Sequence, residues 1–544
     1  MHASYRKADF LRDAVWIVAV STFVFALSQV PYSAAERKTP SESVFLGQIA
    51  IADDINSYYS FIRQAALGHL LFKNNMTYID HDPIFVNVEW FAIGAAMRLL
   101  DLGPRMAYDV WRAFGIVILL AAFAGIARLC LATELQRRTA LLACAIGGGF
   151  GWLLTALMRA GVLGPSDGPD MLNPALDLFA GIQPFVQITR NPHFSLPHGT
   201  FILTCLCIVL AEQTHRAKWY GFAALATVLH GLIRPYDLIS LFAIIPAFAA
   251  LECLVARKID WRWSVMRCVP LIAAGPVLLY YVYLFSFHPV FKYWASQGDQ
   301  PFVPIHWHLL SLGLMFLLFV WRIGSFRRNP LSTPSERFLA VWALSILALF
   351  HSYKVFPFMP YTPQLGVPMM TPVIVLAVSM LPTVSTSRRW VAAAALLVTV
   401  NALSTPVYLR SESRKAPENP NHYIRLFDLE AVDWLNRNID EHDVVLARYS
   451  YGTRISQYLN ARVAVGHWAL SPHVDDLNPR IDAFLSGELS EGDAKALLQE
   501  IKPRYIYVDL PASGVQSAQI RQYGYALKYE NRGVVLYEFT PPIP

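Results

Sequence analysis

The chain has 544 residues, 55% hydrophobic and 15% charged, with a formal net charge of +6. A soluble domain carries about a quarter charged residues. With a mean hydropathy of +0.37, this composition excludes a wholly water-soluble globule and points to a polytopic membrane protein with a soluble part attached.

The basic residues stand in short clusters between apolar runs, a pattern of membrane topology rather than of nucleic-acid binding. The six cysteines (Cys130, Cys144, Cys205, Cys207, Cys253, Cys268) lie in or beside apolar runs, and none follows Cys268. No disulfide framework is available there, and Cys205-x-Cys207 reads as packing inside a span.

At the N-terminus, Arg6, Lys7 and Arg12 precede an apolar stretch over 14–30. Ser33-Ala34-Ala35 has the small residues of a signal-peptidase site, but the many later spans favour an uncleaved first helix. Apolar runs at or near the length that crosses a bilayer, roughly 17–25 residues, some of them marginal, follow at 109–131, 139–158, 197–212, 218–233, 236–256, 266–287, 306–322, 337–351, 363–382 and 388–408. A shorter run at 84–101 is expected to lie in the interface or to dip halfway. The fold class is therefore mainly α, with about 11–13 membrane helices and a C-terminal soluble α/β domain.

Basic clusters at 6–12, 128–138, 216–218, 257–267, 322–328 and 388–389 place those ends in the cytoplasm, as the positive-inside rule requires. The loops 31–108, 159–196, 233–236, 288–305 and 352–362 then face outside, as does the C-terminus. The expected domains are 1–408, membrane-embedded, with an outside loop 31–83; a polar, proline-containing linker 409–419; and a soluble domain 420–544 on the outer face. In the last, "DLEAVDWLNRNI" and "SEGDAKALLQEI" read as helices, the second with Ser490 as a cap. "DVVLA", "RVAVG", "RYIYVDL", "YALKYE" and "GVVLYEF" read as strands, by β-branched and aromatic content.

The stretch "IADDINSYYSFIRQAALGHLLFKNNMTYIDHDP" (51–83) is the most informative. Ile55, Tyr59, Ile62 and Ala66 share one helix face, and Asn56, Ser60, Arg63 and Gln64 another. The segment is too polar to span, and an interfacial helix on the outer leaflet is expected. Asp53 or Asp54 can serve as its N-cap, but one helix needs one cap, so chemistry stays open for the other acid. Asp82-Pro83 fits a second helix start, which leaves Asp80 and His81 without a role.

In "LHGLIRPYDL", His230 and Arg234 stand four apart, on one helix face, with Asp237 beyond. Ionisable residues at membrane depth read as functional, although an Arg234–Asp237 pair can also simply close a hairpin. Gly147, Gly148, Gly149 and Gly151 lack the frame of a nucleotide loop and read as close helix packing. His306-x-His308 reads as interfacial. The C-terminal domain offers His467, His473, Asp475 and Asp476 in "GHWALSPHVDD", which reads first as an ordinary loop.

A first membrane helix, an outside loop with an acidic motif and then interfacial helices resemble the GT-C class of membrane glycosyltransferases. "DINSYYSFIRQAALGHLLF", "HDPIFVNVEWFAIG", "TRNPHFS", "LHGLIRPYDLIS" and the "WLNRNIDEHDVVLARYSYGTRISQYLNARVAVGHWALSP" region look like a bacterial branch of it.

The resemblance implies a polyprenyl-phosphate sugar donor and an envelope lipid, glycan or protein acceptor. It implies membrane lipids as surroundings and no nucleic acid, on the outer face of the bacterial cytoplasmic membrane. Asp54 matches the acid three residues before the Ser57-Tyr58 pair and is implied as the base, with Asp53 in reserve. A phosphate leaving group needs positive charge or donors. Arg190, Asn191 and His193 of an outside loop, His230, Arg234 and Lys354 are candidates, against a turn at Asn191-Pro192 and a snorkelling Lys354. Asp80, His81 and Asp82 can complete a divalent site (Mg²⁺ or Mn²⁺) with Asp53 or Asp54, or His81 can hydrogen-bond to substrate or loop. A transporter or flippase of a lipid-linked substrate, and a non-catalytic envelope-assembly scaffold, are the other classes to weigh.

Overall fold

The computed structural model describes residues 7–163, 175–178, 182–294, 304–325, 330–352, 365–382, 387–510 and 517–540. The chain divides into two compact units. One comprises 1–31, 108–281 and 298–412; the other comprises 32–107, 282–297 and 413–544.

Each of the eleven apolar runs contains a helix, with different fates. Leu11–Arg37, Pro104–Cys130, Pro192–Thr214, Asp237–Ala256, Trp261–Phe287 and Arg388–Glu418 are long and apolar enough to cross a membrane. Glu134–Ile146 with Gly151–Arg159, bent by 44°, and Ile305–Ser311 with Gly313–Gly324, bent by 103°, make two broken spans. Lys218–Ile233 and Pro334–Phe350 have 16 and 17 residues, and the third helix, Met370–Val378, has 9. These three sit at or below the length that crosses a bilayer, roughly 17 residues. Met370–Val378 is buried throughout.

The glycines explain the breaks. Gly149 and Gly151 donate their backbone N–H groups to Asp177 Oδ2 at 2.8 and 3.2 Å, which holds the first break open. Gly313, at φ 73°, makes the second, and a Cβ there would come within 2.6 Å of the Gly149 Cα. The two breaks therefore abut backbone to backbone, the packing that small residues permit. His308, expected at the interface, is buried in this unit and pairs with His351 (Nδ1 to Nε2, 2.9 Å).

Several basic residues that orient the chain are also paired: Arg128 with Asp13, Arg267 with Glu212 at 2.7 Å, and Arg322 with Glu336 at 2.9 Å. The apolar core of this unit is continuous, from Val24 and Phe123 to Phe201, Trp342 and Ile374.

The second unit is built from three chain segments. Strand β1 (Ser43–Phe45) pairs antiparallel with β2 (Tyr423–Arg425), with Ser43 opposite Arg425. A five-stranded mixed sheet has β3 (Val444–Leu446), β4 (Arg462–Val463), β5 (Tyr505–Asp509), β6 (Tyr525–Glu530) and β7 (Val534–Phe539) in the order β4-β3-β5-β7-β6. The β3 strand runs parallel to β4 and β5, and β7 antiparallel to β5 and β6. Helices Leu426–Asn436 and Glu491–Ile501 stand where the sequence predicts, and Ser490 caps the latter through the Asp493 amide at 3.2 Å.

The expected linker at 409–419 is instead helical to Lys415, followed by a 3₁₀ turn over Ala416–Glu418. Ala416 is buried, and its carbonyl accepts from His422 Nδ1 at 2.8 Å. The prolines of this stretch, Pro417 and Pro420, follow the helix end and open the two short 3₁₀ turns after it.

The interfacial expectation for 52–66 needs a second correction. Ala52–Ala66 is buried on its polar side too, among them Asn56, Ser57 and Ser60. Asn56 Oδ1 accepts from Gln48 and Gln457 at 3.0 and 3.1 Å, so its polar side has protein partners in place of headgroups. The run 84–101 forms a 13-residue helix, Val88–Leu100, capped by Asn87. It packs on Ala52–Ala66 so closely that a Cβ on Gly94 would stand 2.5 Å from the Ile62 carbonyl.

Candidate active site

Asp53 and Asp54 lie in the first turn of Ala52–Ala66, but neither caps it. The N-cap position is Ile51, at φ 44°, ψ 48°, and no side chain bonds there. A capping side chain must stand before the first helical residue, and both acids stand after it. The capping role open to either acid is thereby corrected. A β-branched residue in the left-handed region is strained, and this one stands two residues before Asp53, with only Ala52 between.

Two side chains of the 413–544 segment hold the carboxylates. Tyr449 donates its hydroxyl to Asp53 Oδ2 at 2.6 Å. His467 Nε2 lies 3.0 Å from Asp54 Oδ1. The backbone N–H groups of Ala469 and Leu470 both donate to His467 Nδ1, at 3.0 and 3.1 Å. Nδ1 is therefore an acceptor, and the ring proton sits on Nε2, donated to Asp54.

Ser471 fixes the same loop. Its hydroxyl accepts from the amides of Gly466 and His467 at 3.0 and 3.1 Å and donates to the Met76 carbonyl at 2.6 Å.

The two acids have different surroundings. Burial pushes the Asp53 carboxyl above its ordinary value, against the Tyr449 hydrogen bond, which lowers it. Burial and the neighbouring Asp53 likewise push the Tyr449 phenol up. The Asp54 side chain stays 29% exposed while His467 is 1% exposed. Burial thus favours the protonated form of Asp53, whereas Asp54 is anchored through Oδ1 and partly exposed. That division suits general-base chemistry.

The 80–82 group does other work. Asp80 pairs with Arg462 at 3.4 Å and His442 at 3.6 Å. His81 Nε2 accepts from the Asn74 amide at 3.1 Å, and Nδ1 donates to the Asp82 carbonyl at 2.9 Å. Burial pushes its imidazole below the ordinary value. Both ring nitrogens hold the 74–82 loop, which leaves neither for a metal or a substrate. Among the described residues, no group of three His, Cys, Asp or Glu side chains could hold a metal ion.

In the helical unit, Arg190, Asn191 and His193 are not in an open loop. Pro184–Arg190 and Pro192–Thr214 are consecutive helices, each with proline at its first turn, and the extended Asn191 between them is buried, as is His193. Among the described residues, neither buried polar atom of the Asn191 side chain has a hydrogen-bond partner.

His230 and Arg234 do not share a helix face, because the helix ends at Ile233 and Arg234 sits at φ −139°, ψ 82°. Pro235 disfavours helical geometry at the preceding residue. Arg234 Nε stands 3.2 Å from Asp237 Oδ2, both fully buried. His230 Nδ1 donates to Thr200 Oγ1 at 2.9 Å, since that hydroxyl donates to the Pro197 carbonyl. Lys354 lies outside the described residues.

Sequence reasoning missed Tyr449 and His198, and gave His467 an ordinary loop. His198 bonds Gln187 at 2.8 Å and Thr371 at 3.0 Å within the buried helical unit. The signal for His467 was its place in the polar group "GHWALSPHVDD"; nothing local marked its partner.

No family model and no curated protein matches the chain. Solved structures do. The apo oligosaccharyltransferase of Archaeoglobus fulgidus is similar at TM-score 0.53 and 12% identity, over 96% of this chain and 74% of that one. ArnT from Cupriavidus metallidurans, bound to undecaprenyl phosphate, is similar at TM-score 0.50 and 12% identity, over 97% and 98%. AglB from A. fulgidus, in complex with an inhibitory peptide and a dolichol-phosphate, gives 0.50 and 13%, over 97% and 75%. The chain therefore has the GT-C fold of these membrane proteins, as its sequence resemblance implied.

Proposed function

We propose that this protein is a membrane glycosyltransferase. It moves a sugar from a polyprenyl-phosphate carrier to an envelope lipid, glycan or protein on the outer face of a bacterial cytoplasmic membrane. The observation that carries the reading is Asp54, anchored by a fixed neutral N–H donor and partly exposed, in a chain with the GT-C fold. The neighbours add the carrier chemistry: ArnT is bound to undecaprenyl phosphate and AglB to a dolichol-phosphate.

In the proposed reaction Asp54 Oδ2 takes the proton of the acceptor hydroxyl. The hydroxyl oxygen bonds to the anomeric carbon from the side opposite the phosphate, with inversion. The carbon–oxygen bond to phosphate breaks, and its electron pair leaves with the polyprenyl phosphate. Arg190, Asn191, His193, His230, Arg234 and Lys354 are the proposed phosphate-binding set, because a departing phosphate needs fixed donors. No step is assigned to a metal.

The test is transfer from a panel of radiolabelled polyprenyl-phosphate sugars to membrane extract, comparing wild type with Asp54→Asn at equal expression. General-base assistance is worth roughly 10² to 10⁴ in rate, and a loss of that size is expected. Equal transfer by both would remove Asp54 from the chemistry.

A transporter remains the second reading, on one observation: the two broken helices, which such proteins use near the membrane midplane. Lipid-linked sugar crossing reconstituted vesicles, with no transfer to any acceptor, would favour it.

A further inference from the structure

We infer that His467 is a positioning residue for Asp54. It holds the carboxylate through a hydrogen bond and takes no proton itself, so the 413–544 segment supplies part of the active site rather than a cover for it. The inference rests on the glycosyltransferase reading of Asp54.

The chemistry follows from where the ring's lone pair is. Two backbone N–H groups, of Ala469 and Leu470, occupy His467 Nδ1. The ring therefore cannot accept a proton there without breaking both bonds, and its Nε2 already carries one. A histidine in this state cannot relay a proton; it can only donate a hydrogen bond. That bond goes to Asp54 Oδ1.

When Asp54 takes a proton on Oδ2, Oδ1 becomes a carbonyl-like oxygen and keeps accepting the same N–H. The site needs no rearrangement during the step, which is what preorganisation requires. The supporting loop is itself rigid, since Ser471 ties Gly466 and His467 to the Met76 carbonyl.

The helix that carries Asp54 is fastened to the same segment further along. Asn56 Oδ1 accepts from Gln457, and Arg63 donates to Asn460 Oδ1 at 2.7 and 3.1 Å. The titratable groups Asp53, Tyr449 and His467 each interact with Asp54.

The test compares full-length wild type with His467→Ala and His467→Gln at matched expression. Gln keeps a neutral N–H near the place of Nε2. The first measurement needs no substrate. Dicyclohexylcarbodiimide modifies protonated carboxyls, and peptide mass spectrometry gives the pH at which Asp54 is half-modified.

His467→Ala should move that pH up by about one unit or more, because the ionised form has lost a donor. His467→Gln should return most of the shift. The second measurement is transfer. His467→Ala should lower kcat roughly tenfold or more while KM changes less than about threefold, with the acid limb of the pH profile moved up in step.

An unmoved Asp54 half-point in His467→Ala overturns the proposal whatever the transfer result. So do equal losses in Ala and Gln accompanied by equal falls in melting temperature, the mark of a merely structural role. If wild type transfers no sugar from any donor, the glycosyltransferase reading fails, and the carbodiimide half-point still decides whether His467 positions Asp54.

Discussion

The acid pair shows how neighbours in sequence acquire different jobs. Asp53 is pushed up by burial, so its folded form binds protons more tightly than its unfolded form. Such a group favours folding below the unfolded value, about 3.9, and that contribution is lost as pH rises through the higher folded value. Asp53→Asn keeps an acceptor for Tyr449 and removes the titration. Thermal melts should show wild type losing stability relative to this variant as pH rises from about 4 toward neutrality; parallel curves would mean that Asp53 is not perturbed.

Ile51 is the second residue to test. Its left-handed backbone costs about 1–2 kcal/mol in a residue other than glycine. Asparagine tolerates that conformation, and Ile51→Asn should stabilise the fold by about 1 kcal/mol in denaturant titration. A loss of transfer alongside the gain would show that the strain serves the acids.

At the scale of elements, the apolar runs were legible because a membrane helix advertises itself by length and hydropathy. The C-terminal strands were legible by β-branched and aromatic content, as in "RYIYVDL". What stayed hidden was burial of polar surface: Ala52–Ala66 has the pattern of an interfacial helix, and only the partners of Asn56 and Arg63 reveal that it is interior.

The glycine-rich break was legible as close packing, and its tolerance can be measured. A Cβ on Gly149 would collide with the Ser311 backbone oxygen, whereas one on Gly221 meets nothing within 4 Å. Gly149→Ala should cost at least about 1–3 kcal/mol, the range for overpacking a rigid site. Gly221→Ala, inside the helix Lys218–Ile233, should be neutral or stabilising by up to about 1 kcal/mol. Detergent-solubilised melting temperatures separate the two, and equal effects would count against the abutting breaks.

The second unit as a whole is the part that sequence reading divided wrongly, because its pairings join residues hundreds of positions apart. The β1–β2 ribbon and the Asp54–His467 bond each join an early residue to a late one, and no local periodicity encodes a partner at that distance. If the three segments form one cooperative body, damage to the late segment must be felt in the early one.

Asp428 offers the lever. It is buried, and it accepts from Arg425 at 2.6 and 2.9 Å and from the Tyr507 hydroxyl at 2.5 Å. Arg425 belongs to β2, the partner of β1. Asp428→Ala leaves a partly buried guanidinium without its carboxylate and should cost about 3–5 kcal/mol. In hydrogen exchange, protection should fall at 423–425 and, through the ribbon, at 43–45 and along Ala52–Ala66. The span Pro192–Thr214, in the other unit, should keep its protection, since local opening follows cooperative units. If exchange rises only at 423–428, the early loop folds without the late segment, and the shared site would then need another explanation for how Asp54 and His467 come together.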